Sequence, residues 1–568
     1  MDGAVSGREG DHAPEKVDVL VVGAGLAGLY ILYCLRQRGL SARAYEAGSD
    51  VGGTWYWNRY PGARVDVESM QYCYHFSDEL TASWNWTERF ASQPELLRYI
   101  NHVADRFDLR RDITFETRVT SALFDRRTNL WTLETDRGDV AQAPYCIMAT
   151  GSLSTPYRPP FPGLEDFRGD SYHTAMWPHD AVDFTGKRVG IVGTGSTGIQ
   201  AIPVVAAQAK HLTVFQRTPN YTTPACNRPL ARDEQRAFNE HHAQWRDEVR
   251  HSFAAITGFP LPTKFPDEDT QEERQALLER RWAEGGMPPA LLAIYKGIGV
   301  DETANAVVAD FVRGKIREIV EDPAVAARLC PPADLPIGSK RPPIDTDYYA
   351  TFNRDNVTLV DVKRAPIERI TASGLKTGEA DYDLDAIIFA TGFDAMTGTL
   401  LAIDIRTADG MTLKEAWADG PSTYLGLMVS GLPNLFMING PGSPSVKANM
   451  IVALEQHTDW IMALLDHLAA AGFDRIEADR LAQEDWVDHV REVAEATLMP
   501  KADSWYVGAN VPGKKRVYMP YFGGFDRYCS LCEAIAADGY RGFTLSLHGG
   551  AQPEPQRDAD PHEASAVS

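Results

Sequence analysis

The chain is short of three things. Basic charge is the first: 56 Lys and Arg stand against 78 Asp and Glu, a net charge of −22. That balance argues against nucleic acid or an anionic membrane surface as the main partner. Cysteine is the second. Seven Cys scattered over 568 residues cannot make a disulfide framework. Cys529 and Cys532 form a C-x-x-C, but no strand and glycine-rich turn precede it, and no second pair completes a zinc site. Two thiols on one helical face is the simpler reading, and no metal is expected. The third is a long apolar run. Residues 17–35 come nearest, but Asp18 and three spaced glycines interrupt them, so they read as strand, turn and buried helix rather than a membrane span. Residues 1–16 lack the basic-then-apolar order of a signal peptide. They and the Pro-, Asp- and Ala-rich residues 549–568 read as disordered ends. A soluble, cytoplasmic protein of two or three domains is expected.

What the chain does have is one pattern used twice. Residues 17–22 read as a buried strand, Gly23-Ala24-Gly25-Leu26-Ala27-Gly28 as a turn, 29–38 as a helix and 42–46 as the next strand. The pattern returns with strand 188–192, turn Gly193-Thr194-Gly195-Ser196-Thr197-Gly198, helix 199–207 and strand 212–216. Two further segments mirror each other: 146–151 read CIMATG and 387–392 read IIFATG. Apolar strands ending in Ala-Thr-Gly suit points where a chain leaves one sheet for another. The fold expected is α/β, with two Rossmann-like dinucleotide-binding domains and a helical insertion. The first domain comprises 17–151 and 386–548, the second 152–222 and 335–385. Residues 223–334, with helix-periodic stretches at 271–282 and 303–320, form the insertion.

A lone G-x-G-x-x-G is weak evidence, but here each copy follows a strand and opens a helix. Gly23, Gly25 and Gly28 in one turn, and Gly193, Gly195, Ser196, Thr197 and Gly198 in the other, bring backbone N–H groups and a helix N-terminus to a pyrophosphate. The two units differ at the end of the second strand. Glu46, 18 residues past Gly28, offers a carboxylate to ribose hydroxyls. The second unit has Arg217 and Thr218 there; a guanidinium pairs with a 2′-phosphate where a carboxylate would repel it. The first unit is therefore read as an FAD site and the second as an NADP(H) site.

Between the units, Phe167-Arg-Gly-Asp-Ser-Tyr-His173-Thr-Ala-Met-Trp177-Pro178, with Gly169 in third place, fits F-x-G-x-x-x-H-x-x-x-W-P. With both turns around it, this closely resembles the fingerprint of type I Baeyer–Villiger monooxygenases, nearest in look to the phenylacetone and steroid monooxygenase branch. The resemblance runs from about residue 17 to about 547. It takes in the stretch from Gly52 to Gly62, then Asp66, Lys340-Arg341-Pro342, Ala390-Thr391-Gly392-Phe393-Asp394-Ala395, Gly440-Pro441-Gly442-Ser443-Pro444 and Trp505-Tyr506-Val507-Gly508-Ala509-Asn510. It implies NADPH- and O2-dependent oxidation of a ketone to an ester or lactone, through a C4a-peroxide of FAD and a Criegee adduct.

Two negative charges arise in turn in such a reaction, so it requires a donor that is always protonated, Arg rather than Lys. The resemblance makes that donor Arg341, oriented by Asp66. It sets Lys340 near the NADP phosphate and Trp505 on the nicotinamide half of NADP. Gly53, Thr54, Trp55 and Tyr60 fall in the flavin-side loop, the aromatic pair for packing rather than proton transfer. His173 and Trp177 read as conformational rather than acid–base residues. Ser445, Val446, Lys447 and Met450 open a long helix running to about residue 470 and are placed in the substrate pocket. Lys447 departs from the apolar residue usual in relatives, and a cation at a helix N-terminus opposes the dipole. An acidic ketone, solvent or Glu455 are its possible partners. Three rival readings stand beside this one: a class B flavin monooxygenase acting on nitrogen or sulfur, a non-catalytic FAD- and NADP(H)-binding sensor or scaffold, and a pyridine nucleotide–disulfide oxidoreductase. The last needs a redox Cys pair that Cys34 and Cys73 do not supply by spacing.

Overall fold

The computed structural model describes residues 13–407 and 409–549; the expectations for residues 1–12 and 550–568 lie outside them. The strand that precedes the first glycine turn is Val19–Val22, shorter than read from the sequence. Asp18 is drawn off its end, its carboxylate accepting from the Ser41 N–H and hydroxyl at 2.7 and 2.6 Å. The strand is central in a parallel sheet ordered Leu435–Met437, Tyr145–Met148, Val19–Val22, Ala42–Tyr45, Ile113–Thr114. A parallel sheet must be covered on both faces, and the alternation of this strand shows how. Val19 and Val21 face helices Leu26–Gln37 and Met450–Ala471, whereas Leu20 and Val22 face Phe124, Trp131 and Leu133 of a second sheet. That second sheet, formed by 119–125, 130–135, 140–143 and 404–407, was not anticipated. Its fifth strand corrects the reading of 1–16 as disordered: Glu15–Lys16 pair in parallel with Ala141 and Gln142.

The other parallel sheet is ordered Val357–Asp361, His211–Gln216, Arg188–Val192, Ala386–Phe389, Asp170–His173. Ala386–Phe389, assigned above to the first domain, belongs here, with Val189 opposite Ala386. The reason is local: Ala-Thr-Gly marks where the chain leaves, so the strand before it belongs to the sheet being left. The 223–334 insertion is also not one body. Helices Arg232–Glu240 and His242–Arg250 pack Phe238 and Trp245 on the first core. Helices Gln271–Glu284 and Glu302–Ile319 pack Leu278, Val308, Val312 and Ile316 on the second. Gln271–Glu284 begins at a reciprocal cap in which Thr270 and Glu273 bond each other's backbone N–H.

Two of the passages between the folds lie side by side. Tyr157 N–H donates to Gly392 O and Asp394 N–H to Thr155 O, both at 2.9 Å, so 155–157 and 392–394 form an antiparallel ribbon. His173, at the end of edge strand Asp170–His173, pins it. Its Nε2 lies 3.1 Å from Tyr157 O and 3.2 Å from Thr391 Oγ1, while Nδ1 accepts from Ala175 N–H at 3.1 Å. One nitrogen donates and the other accepts, so the ring must be neutral; burial, aided by Arg158, lowers its pKa in the same direction. Around it, a side chain at Gly169 would sit 2.4 Å from Asp385 O, Phe167 packs beside Ile370 and Leu375, and Trp177 lies against Tyr172 and Phe184. Pro178 is exposed.

Replacing His173 by Ala strands the buried Ala175 N–H, whose acceptor is Nδ1, while the Tyr157 carbonyl keeps the Thr391 hydroxyl at 2.6 Å; the loss should cost about 1–3 kcal/mol, read as a lower melting temperature of the holoenzyme. Because the folded-state pKa is lowered, the His173 contribution is fully present above the free-histidine value of about 6.5 and is lost as pH falls below it. The gap between wild type and His173→Ala should therefore narrow at pH about 5.5; a gap that does not change with pH would show that neutrality of this ring is not what holds the ribbon.

Candidate active site

The two glycine turns are built alike. A Cβ on Gly23, which sits at φ +104°, would lie 2.6 Å from Ala149 O, and one on Gly28 would lie 2.0 Å from Gly23 O. In the second turn the same contacts are Gly193 to Ala390 O at 2.4 Å and Gly198 to Gly193 O at 2.2 Å. These outer glycines serve close packing on the two Ala-Thr-Gly strand ends. The middle ones face open ground: Gly195 has nothing within 4 Å of its missing Cβ, and Gly25 faces only the backbone of Gly53. Neither Gly25 nor Gly195 supplies a side chain to cap the helix it begins, so the first N–H groups of both helices are left for a ligand. Each cradle fits a pyrophosphate in shape and in charge.

Their rims differ. Glu46, 6% exposed, accepts from Ala24 N–H at 2.8 Å and from Gly48 N–H at 2.7 Å, which fixes its carboxylate beside the first turn. At the second turn Arg217 is exposed and Lys340 half-buried. Burial, then repulsion from Arg217, lowers the Lys340 pKa, so the two cations are close, and neither has a carboxylate within salt-bridge distance among the described residues. Two adjacent cations suit a phosphate monoester. Thr218 contributes its carbonyl to the Thr194 hydroxyl.

Between the turns, Arg341 meets Asp66. Nε and Nη2 donate to the two carboxylate oxygens at 2.8 and 2.9 Å, and Nη1 donates to Val446 O at 2.8 Å. Burial alone would raise the Asp66 pKa, but the charge and bonds of Arg341 outweigh it and hold the carboxyl below its ordinary range. Burial likewise opposes the charge on Arg341, and Asp66 outweighs it. Both groups stay ionised. They keep 31% and 23% of their side-chain surface, so the pair lines an accessible cleft rather than sealed core.

Other residues singled out in the sequence have more ordinary surroundings. Trp55 is buried, with its indole N–H on Tyr72 OH, and Thr54 is exposed at the start of the short helix Thr54–Trp57. Tyr60 joins the two folds: its hydroxyl donates to Gln200 Oε1 at 2.8 Å on helix Ser196–Gln208, beside Thr197. Trp505 packs on Tyr506, Ala395 and Met396. Its loop is fastened to the second crossing by Asn510, which donates to Phe393 O at 2.7 Å, and by Lys514, which pairs with Asp394.

Three readings at the start of the long helix need correction. The helix begins at Met450, capped by Asn449; Ser445–Lys447 are a separate 3-10 turn, so Lys447 is not in the helix's first turn. Ser445 does not line a pocket: it is 0% exposed, with its hydroxyl 3.2 Å from that of Ser152, and its φ of +41° turns the chain so that the Val446 carbonyl meets Arg341. Glu455 is not the partner of Lys447, because its carboxylate already accepts from the N–H groups of His75 and Phe76. Lys447 instead lies over the rings of Tyr506 and Phe522, 5.1 and 5.4 Å from their centroids. Tyr506, Phe522 and Gln200 were not singled out as site residues by sequence; only Tyr506 had a cue, as the neighbour of Trp505.

Cys34, Cys73, Cys529 and Cys532 are free and buried, and burial pushes the thiols of the C-x-x-C pair up to about 12. Two nucleotide cradles with an arginine–aspartate pair between them, and a C-x-x-C pair that burial keeps from exchange, do not suit a disulfide-reducing enzyme. A family model described as pyridine nucleotide-disulphide oxidoreductase matches residues 20–259. Similarity extends much further to acetone monooxygenase (methyl acetate-forming) of Gordonia sp. (strain TY-5), 45% identical over 533 residues, 93% of this chain and 99% of that one. A Baeyer-Villiger monooxygenase of Pseudooceanicola batsensis is 42% identical over 92% of this chain and 95% of its own. Among solved structures, an oxidized steroid monooxygenase bound to NADP superposes with a TM-score of 0.89 at 50% identity, and OTEMO in complex with FAD and NADP with 0.90 at 40%; each covers 94% of this chain and 100% of the other. The chain belongs to the FAD- and NADPH-dependent Baeyer–Villiger monooxygenases.

The cradle geometry separates two glycines that look alike in sequence. Gly195→Ala should leave the melting temperature unchanged but weaken NADPH binding by about tenfold or more, the loss expected from disturbing charged hydrogen bonds. Gly198→Ala should instead lower the melting temperature, since its Cβ has no room. Calorimetry and NADPH titration check both; equal melting temperatures for the two variants would contradict the assignment.

Proposed function

We propose that this enzyme inserts oxygen beside a ketone carbonyl with Arg341 as the group that stabilises the negative charge of that step and Asp66 as the residue that positions it. FAD and NADPH, when bound, supply the oxygen activation and the hydride. The observation that carries the assignment is the three-point hold on the guanidinium. Nε, Nη1 and Nη2 each spend one N–H on Asp66 or Val446, which leaves an N–H on both terminal nitrogens for the cleft. A donor fixed in this way costs no reorganisation when charge develops. Tyr506, beside Arg341, completes the wall.

On this reading FAD takes the cradle at Gly23, Gly25 and Gly28 with Glu46 on its ribose, and Gly53, Thr54, Trp55 and Tyr60 form the flavin-side wall. NADP(H) takes the cradle at Gly193, Gly195, Ser196, Thr197 and Gly198, with Arg217, Thr218 and Lys340 around the 2′-phosphate and Trp505 covering the nicotinamide half. His173 and Trp177 act through the crossings rather than on the substrate. The substrate is a ketone and O2 the co-substrate. The enzyme works in the cytoplasm; in support, no helix among the described residues is long and apolar enough to cross a membrane, and the seven cysteines are free.

The direct test is NADPH consumption over linear, cyclic, aryl, steroid and carboxylated ketones, with product mass. Esters or lactones support the reading; oxygenation of amines or sulfides alone, or FAD reduction with no product, would overturn it. Arg341→Ala should still bind FAD and be reduced by NADPH, but ester formation should fall by ~10²–10³. Normal ester formation in that variant would remove Arg341 from the role. Arg217→Ala should weaken NADPH by about tenfold or more while barely altering NADH; an unchanged ratio of the two would mean that Arg217 does not read the phosphate.

A further inference from the structure

Lys447 is a cation without a counterion. Among the described residues no carboxylate comes within salt-bridge distance of it, and the acid nearest in the sequence, Glu455, is occupied elsewhere. Its ammonium rests against the faces of Tyr506 and Phe522. Ring faces attract a cation more weakly than an oxyanion does, and an enclosed charge left unpaired is costly. The same residue is only half-buried by surface, so part of it is open to a ligand rather than sealed in packed core. Lys447 adjoins the Arg341 cleft: Val446, the residue before it, receives the Arg341 hydrogen bond, and Arg341 is the charged neighbour that acts on Lys447.

The charge balance narrows what would complete the site. Arg341 is neutralised by the bidentate Asp66. Lys447 therefore leaves the cleft with a single uncompensated positive charge, which suits a monoanion rather than a phosphate dianion. The NADP phosphate has its own pair of cations in Arg217 and Lys340.

We propose that Lys447 makes this enzyme selective for a keto acid, its ammonium pairing with the substrate carboxylate while Arg341 serves the carbonyl end. The proposal rests on the oxygenase reading above and adds the class of ketone. It has a pH signature. Burial, then Arg341, pushes the Lys447 pKa down to about 8, so the cation is present below that value and lost above it. The groups that face it do not titrate there: Arg341 and Asp66 stay ionised, Tyr506 is raised by burial, and Glu495, on the helix behind, is exposed and paired with Arg491.

The test uses levulinate and methyl levulinate on the holoenzyme, comparing kcat/KM for wild type, Lys447→Leu and Lys447→Arg. The ratio of acid to ester should fall about tenfold in Lys447→Leu, as for one partly exposed charged hydrogen bond, and be largely kept in Lys447→Arg. In the wild type the same ratio should fall as pH rises through about 8. Where neither compound is turned over, their competitive inhibition constants against an accepted ketone give the ratio. If Lys447→Leu fails to retain FAD, the wild-type pH profile decides alone. Loss of acid and ester by the same factor, or a ratio flat in pH, overturns the proposal while leaving the oxygenase reading intact. Absence of product from every neutral ketone would sink that reading instead.

Discussion

The bidentate contact between Arg341 and Asp66 is the interaction on which the geometry of the cleft depends. It joins three segments remote in sequence: the loop after helix Thr54–Trp57, the segment that leads back to strand Val357–Asp361, and, through the Val446 carbonyl, the turn that leads into the long helix. Such a pair is a poor way to gain stability, because desolvation cancels most of the attraction, yet removing one partner leaves a stranded charge at a cost of about 3–5 kcal/mol. Its effect is positional. The guanidinium can point in one direction only, and its charge is already balanced. Any further charge brought into the cleft is felt undiluted, which is why the one at Lys447 matters.

The two nucleotide folds share a joint that explains their matching sequences. In each, the first glycine of the turn lies against the alanine carbonyl of an Ala-Thr-Gly strand end, and the last glycine lies against the carbonyl of the first. The outer glycines and the alanine are thus parts of one contact, and the middle glycine is free for the ligand. The backbone is alike in both copies; the rims differ, with a carboxylate at Glu46 beside one turn and a guanidinium at Arg217 beside the other.

Much of this was legible in the sequence, for reasons that can be named. Strand, turn and helix could be read because glycines forced by close backbone contact stand between apolar runs of two different periods. The identity of the nucleotides followed from single charges at strand ends. What the pattern could not give was partnership across distance. Ala386–Phe389 has the composition of either sheet, and the helices of 223–334 reveal an apolar face without saying which core it meets. The meeting of Asp66 with Arg341, 275 residues apart in sequence, came from resemblance and not from spacing. Gln200 gave no cue, being an ordinary helical glutamine until Tyr60 is set opposite it. Ser445 was grouped with Val446, Lys447 and Met450 by its place in the sequence, and only its burial and positive φ set it apart.

The paired crossings have a mechanical meaning. Two separate linkers would let the nucleotide folds slide, twist and bend independently. Here the linkers are hydrogen-bonded edge to edge and riveted by one imidazole, so sliding one against the other would break bonds. The ribbon makes one member of two strands of chain, and the loop of Trp505, fastened to the second of them through Asn510 and Lys514, shares whatever load that member carries.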